Sequence, residues 1–173
     1  MKIVLIFDQG LAGAGGKSNP NQGLEIAKGG IGSALMLQPH FAKIKAQVIA
    51  TLYCGNQYFL DHREAVVLKM TKMVEKIKPD MVVCGPCFNF EDYALMAAMI
   101  TKNIKENTDV KAVTMMSKEN ESTIQSYKND IDIIKMPKKG GTGLSDSFDN
   151  LAIYIESKVN NKDDEKIKDF LYW

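Results

Sequence analysis

Short apolar runs alternate along the chain with longer stretches whose apolar residues recur every three or four positions. The apolar runs predict buried strands over residues 3–7, 47–53, 81–84, 111–116 and 131–136. The periodic stretches predict helices over residues 31–44, 62–77, 90–106 and 145–159. We expect residues 119–128 to form a short helix or an irregular turn. Strands separated by helices indicate a parallel sheet that is covered on both faces.

Local signals mark the ends of these elements. Asp61, with Glu64 three residues later, matches a capping box, and Asn89 is suited to cap the next helix. Residues 8–30 are rich in Gly, Asn and Pro and are predicted to form one long loop, which in a compact domain is usually functional or mobile. We expect a single α/β domain over residues 1–160, followed by a C-terminal tail over residues 161–173 that docks through its apolar end.

The order of the strands decides which loops become neighbours. We expect a three-layer α/β/α fold with a parallel five-stranded sheet in the flavodoxin-like order 2-1-3-4-5, with a Rossmann-like order as the alternative. Ligands of such sheets bind beyond the carboxyl ends of the strands, at the switch point. In the favoured order, this point brings the loop after Phe7 and the turn after Val83 to one edge.

That turn reads Cys84-Gly85-Pro86-Cys87, which equals the active-site tetrapeptide of thioredoxins. A thiol between a strand and a helix can be reactive, because the helix dipole lowers its pKa. One interpretation is therefore a redox dithiol with Cys84 or Cys87 as the catalytic nucleophile. The other is a binding turn in which both cysteines are incidental and buried. Val83 occupies the position where thioredoxins have an aromatic residue.

Glycines and polar residues cluster around the predicted switch point. A P-loop is excluded because Leu11 stands where its first glycine is required. The glycines either present N–H groups to a carboxylate or simply form a flexible loop. The candidate ligand-binding residues are Asp8, Gly13, Gly15, Gly16, Gly29, Gly30, Cys54, Gly55, Asn56, Tyr58, Gly85, Asn89 and Glu119.

Composition excludes several classes of function. A net charge of +1 gives no electrostatic reason to bind nucleic acid or an acidic membrane, and the apolar runs are too short to span a bilayer. Three cysteines suit a reducing compartment better than a disulfide framework, so we expect a cytoplasmic protein. The only two histidines, His40 and His62, lie in different predicted helices, so no metal site is predicted, and no motif indicates a cofactor.

Several segments taken together are more informative about the function of the chain than any single motif. They are Gly13-Ala14-Gly15-Gly16, Gly29-Gly30-Ile31-Gly32-Ser33-Ala34-Leu35, Val48 to Phe59 with its Cys54-Gly55-Asn56-Gln57-Tyr58-Phe59 end, Lys78-Pro79-Asp80, Cys84-Gly85-Pro86-Cys87-Phe88-Asn89 with Tyr93, and Val113 to Met116 with Glu119-Asn120. In this order they resemble the amino-terminal half of component B of the glycine, sarcosine and betaine reductases, the selenoprotein B family.

This resemblance implies a reductase that cleaves the C–N bond of an N-substituted glycine and passes a carboxymethyl group to a selenocysteine. It also implies a small carboxylate or amine ligand and other reductase-complex subunits as partners. The selenocysteine belongs to the half of the family that this chain does not represent, so activity of the chain alone stays open. Cys84 and Cys87 depart from the small residues expected there, and Lys17 departs from an acidic tendency.

We therefore predict a substrate-recognising subunit or module of a reductive C–N cleaving system, an oxidoreductase component. A thiol-disulfide oxidoreductase that uses Cys84 and Cys87 is the first alternative, and a non-catalytic structural partner is the second. A homo-oligomer is compatible with each of the three.

Overall fold

A computed structural model describes all 173 residues, and its centre is a six-stranded sheet. The strands are β1 (Lys2–Asp8), β2 (Glu25–Lys28), β3 (Gln47–Cys54), β4 (Met81–Cys84), β5 (Ala112–Met116) and β6 (Ile133–Lys135). Their order across the sheet is β2-β3-β1-β4-β5-β6. Every neighbouring pair is parallel except β2 and β3, which are antiparallel.

Helices cover both faces of this sheet. They are α1 (Ala34–Lys43), α2 (Asn56–Asp61), α3 (Arg63–Ile77), α4 (Glu91–Asn107), α5 (Glu121–Tyr127), α6 (Leu144–Val159) and α7 (Ile167–Phe170). Helix α1 packs against α6 on one face, whereas α4 packs against α2, α3 and α5 on the other. None of the helices is both long and apolar enough to cross a membrane.

The predicted three-layer α/β fold is confirmed, with one additional strand. The five parallel strands follow the flavodoxin-like order, so the Rossmann-like alternative does not apply. The prediction of one unbroken loop over residues 8–30 is wrong, because β2 forms within it and pairs with β3 at the edge of the sheet. Strand β2 is short and mostly exposed, so it lacks the apolar run by which buried strands are recognised.

The predicted helix caps are also corrected. Asp61 is the last residue of α2, a short helix that the sequence pattern did not indicate, and α3 begins after His62 without a side-chain cap. Asn89 does not cap α4; its Oδ1 atom instead accepts a hydrogen bond of 3.0 Å from the main-chain N–H of Lys139. Both residues satisfy the sequence pattern for a cap, but tertiary contacts with other loops decide where the helices begin.

The centre of the core lies along β1, where Ile3 to Phe7 are completely buried between the two helical layers. A parallel strand covered on both faces needs apolar side chains on both, which explains its continuous apolar run. The C-terminal tail lies along the outer side of β6, where Leu171 forms an antiparallel bridge with Ile134. The tail therefore covers one edge of the sheet and β2 forms the other.

Candidate functional site

Several predicted site residues lie where the central strands end. Asp8 ends β1 and is paired in register with Cys54, the last residue of β3, while Cys84 ends β4 beside Ile6. Because these strands are parallel, the loops that follow them leave the sheet on the same side. We call this region the carboxyl edge; it comprises residues 8–9, 54–56, 84–89 and 116–120.

Asp8 is a buried acid without a cationic partner. Its side chain is 4% exposed, and its Oδ1 atom accepts a hydrogen bond of 2.8 Å from the Leu11 N–H. None of the ion pairs in the protein includes Asp8. Burial raises the pKa of Asp8, although the N–H groups of Leu11 and Gly10 oppose this by stabilising the carboxylate. A group held in this way is more common at functional sites than in ordinary cores.

Gln9, which the sequence analysis missed, connects two loops at the carboxyl edge. This residue is 4% exposed. Its Nε2 atom donates to the carbonyl oxygen of Gly16 at 3.1 Å, and its Oε1 atom accepts the main-chain N–H of Asn56 at 3.0 Å. The Oδ1 atom of Asn56 is buried and receives no hydrogen bond. The sequence signal that could have identified Gln9 is its position as a polar residue directly after a buried strand.

The glycine loop, which we define as residues 10–22, packs against the start of α2 and accepts hydrogen bonds from its main chain. The Pro20 carbonyl accepts the N–H groups of Gln57 and Tyr58 at 2.9 and 3.1 Å, and the Gln22 carbonyl accepts that of Gly55 at 2.8 Å. These donors therefore have no capacity left for a ligand. Gly55 and Tyr58 therefore support the loop and have no free N–H group for a carboxylate.

Unoccupied donors do remain at the tip of the glycine loop. The N–H groups of Gly15, Gly16 and Lys17 make no hydrogen bond within the chain, whereas that of Gly13 donates to the Gly10 carbonyl. Gly15 has a φ of +104°, a conformation that residues with a side chain rarely adopt. Three successive free N–H groups next to a lysine side chain suit an anion such as a carboxylate.

Gly29 and Gly30 lie away from the carboxyl edge. The N–H of Gly29 donates to the Ile49 carbonyl, and Gly30 packs against Val48, both in the first half of β3. The antiparallel direction of β2 carries the chain toward the opposite end of the sheet before α1 begins. The structure therefore does not bring these two glycines to the other candidate residues.

Cys84, which ends β4, and Cys87, in the turn that follows, are completely buried. Burial raises the pKa of Cys84 to about 12 and raises that of Cys87 well above its ordinary value. The Sγ atom of Cys87 faces the Cys84 carbonyl oxygen at 3.8 Å and the Thr114 hydroxyl at 3.9 Å. Reactive thiols are partly exposed and have a lowered pKa, so these surroundings are those of structural cysteines.

Cys54 has a similar environment at the end of β3. Burial, together with the nearby charge of Asp8, raises the pKa of Cys54 to about 12. Its Sγ atom donates to the Sδ atom of Met96 at 3.5 Å. Cys54 thus packs beneath the candidate site as a small apolar residue.

The turn after β4, which contains a cis peptide between Gly85 and Pro86, is attached to β5. The Cys87 N–H donates to the Met115 carbonyl, and a Cβ atom on Gly85 would lie 2.9 Å from the Met115 side chain. The Nδ2 atom of Asn120 donates to the Phe88 carbonyl at 2.6 Å. Asn120 is 3% exposed and its Oδ1 atom receives no hydrogen bond.

The two loops at the predicted switch point thus lie at the same edge of the sheet but contact different neighbours. The glycine loop contacts the β3–α2 turn, and the Cys-Gly-Pro-Cys turn contacts β5. No hydrogen bond joins them directly. Asp8 lies between them, because it ends β1, which stands between β3 and β4 in the sheet.

Glu119 and Asn89 lie on the exposed rim of the carboxyl edge. The nearby Ser117 hydroxyl lowers the pKa of Glu119, with a smaller contribution from Lys138. The Asn89 side chain is occupied by its hydrogen bond with Lys139. Both residues can therefore affect access to the edge, but neither has a free buried group.

Two grooves lie elsewhere on the surface. The larger, about 990 Å³, lies between the ends of α4 and α6 and the tail, at the opposite edge of the sheet. The other, about 290 Å³, lies between α1 and the start of β3. Neither is lined by a buried polar atom that lacks a partner. The unpaired groups of the carboxyl edge, rather than the volume of a cavity, therefore identify the candidate site.

We expect Cys54, Cys84 and Cys87 to be unreactive in the folded protein. A thiol reagent at pH 7.5 should modify none of them within minutes, because all three are buried and deprotonate only at high pH. All three should react after unfolding in denaturant, which provides the control. Fast modification of Cys84 or Cys87, with a midpoint well below the ordinary value of about 8.5, would instead support the redox dithiol.

Comparison with known proteins places these residues in a wider context. The model of the glycine/sarcosine/betaine reductase selenoprotein B family matches residues 1–169. The sarcosine reductase complex component B subunit beta of Peptoclostridium acidaminophilum is 28% identical over 94% of this chain and 36% of its own length. The glycine reductase complex component B subunit gamma of Carboxydothermus hydrogenoformans is 29% identical over 77% of this chain and 30% of its own length.

A third relative is the betaine reductase complex component B subunit beta of Peptoclostridium acidaminophilum, which is 28% identical over 75% of this chain and 29% of its own length. The chain thus spans about a third of the length of these relatives. No solved structure gives a significant match.

Proposed function

The chain belongs to the glycine/sarcosine/betaine reductase selenoprotein B family, and from this premise we propose that it binds a small amino-acid derivative at the carboxyl edge, as a subunit or module of a reductase system. Its relatives are component B subunits of reductase complexes. We propose that this chain likewise works with other subunits, which supply the part of the relatives that it does not span.

The observation that carries this proposal is the isolated carboxylate of Asp8. An ionised acid buried without a cation is unfavourable for stability, so an ordinary core would not keep it. The ammonium group of an amino-acid derivative would supply the missing positive charge and hydrogen-bond donors. The position of Asp8 at the switch point of a parallel sheet is where such folds hold their ligands.

The carboxylate of the same ligand would be held by the tip of the glycine loop. Gly15, Gly16 and Lys17 provide the free N–H groups, and the Lys17 side chain adds a positive charge. Gln9 keeps this tip close to Asp8, because its amide is bonded to Gly16 on one side and to Asn56 on the other. The proposed pocket thus contains one negative and one positive end, as a zwitterionic ligand requires.

Within this proposal, the chain binds and orients the substrate rather than cleaving it. Its sequence contains three cysteines, and all of them are buried with a raised pKa. None of them is therefore suited to attack a substrate. The alternative of a thiol-disulfide oxidoreductase stays a prediction that the thiol titration tests, and no observed contact favours it.

The proposal is tested by calorimetric titration of the full chain with glycine, sarcosine and betaine. We expect at least one of them to bind, and we expect Asp8→Asn to weaken that binding about tenfold or more by removing the charge that faces the ammonium group. Asp163→Asn is the matched control, because Asp163 is exposed and lies at the opposite edge. Absence of binding by all three compounds, or unchanged affinity in Asp8→Asn, would refute the proposed site and leave the structural-partner alternative.

A further inference from the structure

We infer that the site selects amines that carry at least one N–H group over trimethylammonium compounds, and that the side chain of Asn56 contributes to this selection. This inference rests on the proposed function and specifies the chemical class of its ligand. Among the three types of compound named by the relatives, it favours glycine and sarcosine over betaine.

The inference begins with the hydrogen-bonding character of the carboxyl edge. The Asp8 carboxylate receives hydrogen bonds only from main-chain N–H groups of its own turn. The Oδ1 atoms of Asn56 and Asn120 are buried and receive none. All three groups are acceptors, and the buried Ser117 hydroxyl, which also lacks a partner, can donate to only one of them. A ligand that brings N–H donors satisfies them, whereas a ligand without donors leaves buried acceptors unpaired.

Among the unpaired acceptors, Asn56 is the one that follows β3, the strand paired with β1 at Asp8. It follows two residues after Cys54, whose register partner in β1 is Asp8. The main chain of Asn56 is held by the Oε1 atom of Gln9, the residue that follows Asp8. An ammonium group beside Asp8 therefore has the Asn56 side chain as its next available acceptor.

The aromatic residues at this edge do not form a site for a quaternary ammonium group. Such groups are held by the exposed faces of several aromatic rings. Tyr93 is completely buried, and its hydroxyl is bonded to a carbonyl of β1. Tyr58 is stacked on His62, and the ring of Phe90 faces the Lys139 ammonium at 5.8 Å. The available rings already have partners, and one of those partners is a cation.

The test is a series of ligands in which methyl groups replace N–H groups one at a time. Glycine, sarcosine, N,N-dimethylglycine and betaine are titrated into the full chain by calorimetry. We expect the first three to bind and the affinity to fall about tenfold or more at betaine, the only member without an N–H group. If betaine binds as tightly as sarcosine, the inference is wrong and the proposed function stands. If no member binds, the proposed function itself fails.

The contribution of Asn56 is tested separately with Asn56→Ala. We expect this variant to bind sarcosine about three- to tenfold more weakly and to narrow the gap between sarcosine and betaine. Asn21→Ala is the control, since Asn21 is an exposed residue of the glycine loop without a side-chain hydrogen bond. An unchanged ratio of sarcosine to betaine affinity in Asn56→Ala would overturn the role of Asn56. The ligand series with the unmodified chain does not depend on whether this variant folds.

Discussion

Gly55→Ala is expected to lower the free energy of unfolding by about 3 kcal/mol, one of the two largest effects that we anticipate. A Cβ atom at this position would lie 2.0 Å from the Pro20 carbonyl oxygen and 2.7 Å from the Gln22 nitrogen. Both atoms belong to the main chain, so no side-chain rotation can relieve the clash. The glycine loop would have to move away from α2 and would lose its hydrogen bonds to Gly55, Gln57 and Tyr58.

This effect is steric rather than conformational. Gly55 has φ −71° and ψ 148°, which any residue adopts, so an alanine would be acceptable there if the loop were absent. Urea denaturation provides the measurement, and Gly23→Ala is the matched control because a Cβ atom on Gly23 meets no atom within 4 Å. We expect the control to remain within about 0.5 kcal/mol of the parent. Equal stability of the two variants would mean that the glycine loop does not pack against α2 as described.

Asp8→Asn is expected to stabilise the protein by about 1 kcal/mol at pH 7 while it weakens ligand binding. The buried carboxylate lacks a cationic partner, and an amide of the same shape removes the cost of burying its charge. An ordinary structural residue would show the opposite result, because its replacement destabilises. A gain in stability together with a loss of ligand affinity in Asp8→Asn would identify Asp8 as a residue that is retained for function.

The pH dependence follows from the direction of the pKa shift. Burial raises the pKa of Asp8 above its ordinary value of 3.8, so the folded state holds this proton more tightly than the unfolded state. The stability contributed by protonated Asp8 is complete below the unfolded value and is lost as the pH rises through the folded pKa. Since the amide introduced by Asp8→Asn does not titrate, the advantage of the variant should be greatest at neutral pH and should disappear in acid.

Denaturant unfolding of both proteins between about pH 3 and pH 8 checks this prediction. Asp163→Asn is again the control, because its carboxylate is exposed and its replacement should leave the curve almost unchanged. A lower stability of Asp8→Asn at neutral pH would show that Asp8 accepts structural hydrogen bonds that an amide cannot replace. A gap between variant and parent that grows in acid would contradict the assigned direction of the pKa shift.

The buried strands were predictable because a parallel strand between two helical layers requires apolar side chains on both faces. Strand β1 shows this in its completely buried Ile3 to Phe7, and the same rule identified β3, β4, β5 and β6. It could not identify β2, whose stability depends on one neighbouring strand and whose residues are mostly exposed. An edge strand of this kind is specified by pairing, which a local pattern does not contain.

The position of Asp8 at the switch point was also predictable, since it follows from strand order and from the parallel direction of the sheet. The positions of the glycines were not predictable from the sequence. Gln9 joins Gly16 to Asn56, and the Gln22 carbonyl accepts the N–H of Gly55, so these two glycines lie close to the carboxyl edge. Strand β2 instead carries Gly29 and Gly30 away from it. Glycine-rich segments of similar composition can thus occupy opposite parts of a fold.

The amino-acid sequence by itself determined the layered architecture and the family to which the chain belongs, because apolar periodicity and local motifs are properties of contiguous residues. It favoured one order of the parallel strands, and the structure excluded the alternative order. Only the tertiary structure decided that Cys84 and Cys87 are enclosed, that the α2 amides are already bonded and that Asp8 has no cation beside it. Burial, the pairing of polar groups and the pKa of an acid depend on residues that are distant along the chain. Their energies are therefore set by the folded environment and cannot be obtained from any local segment.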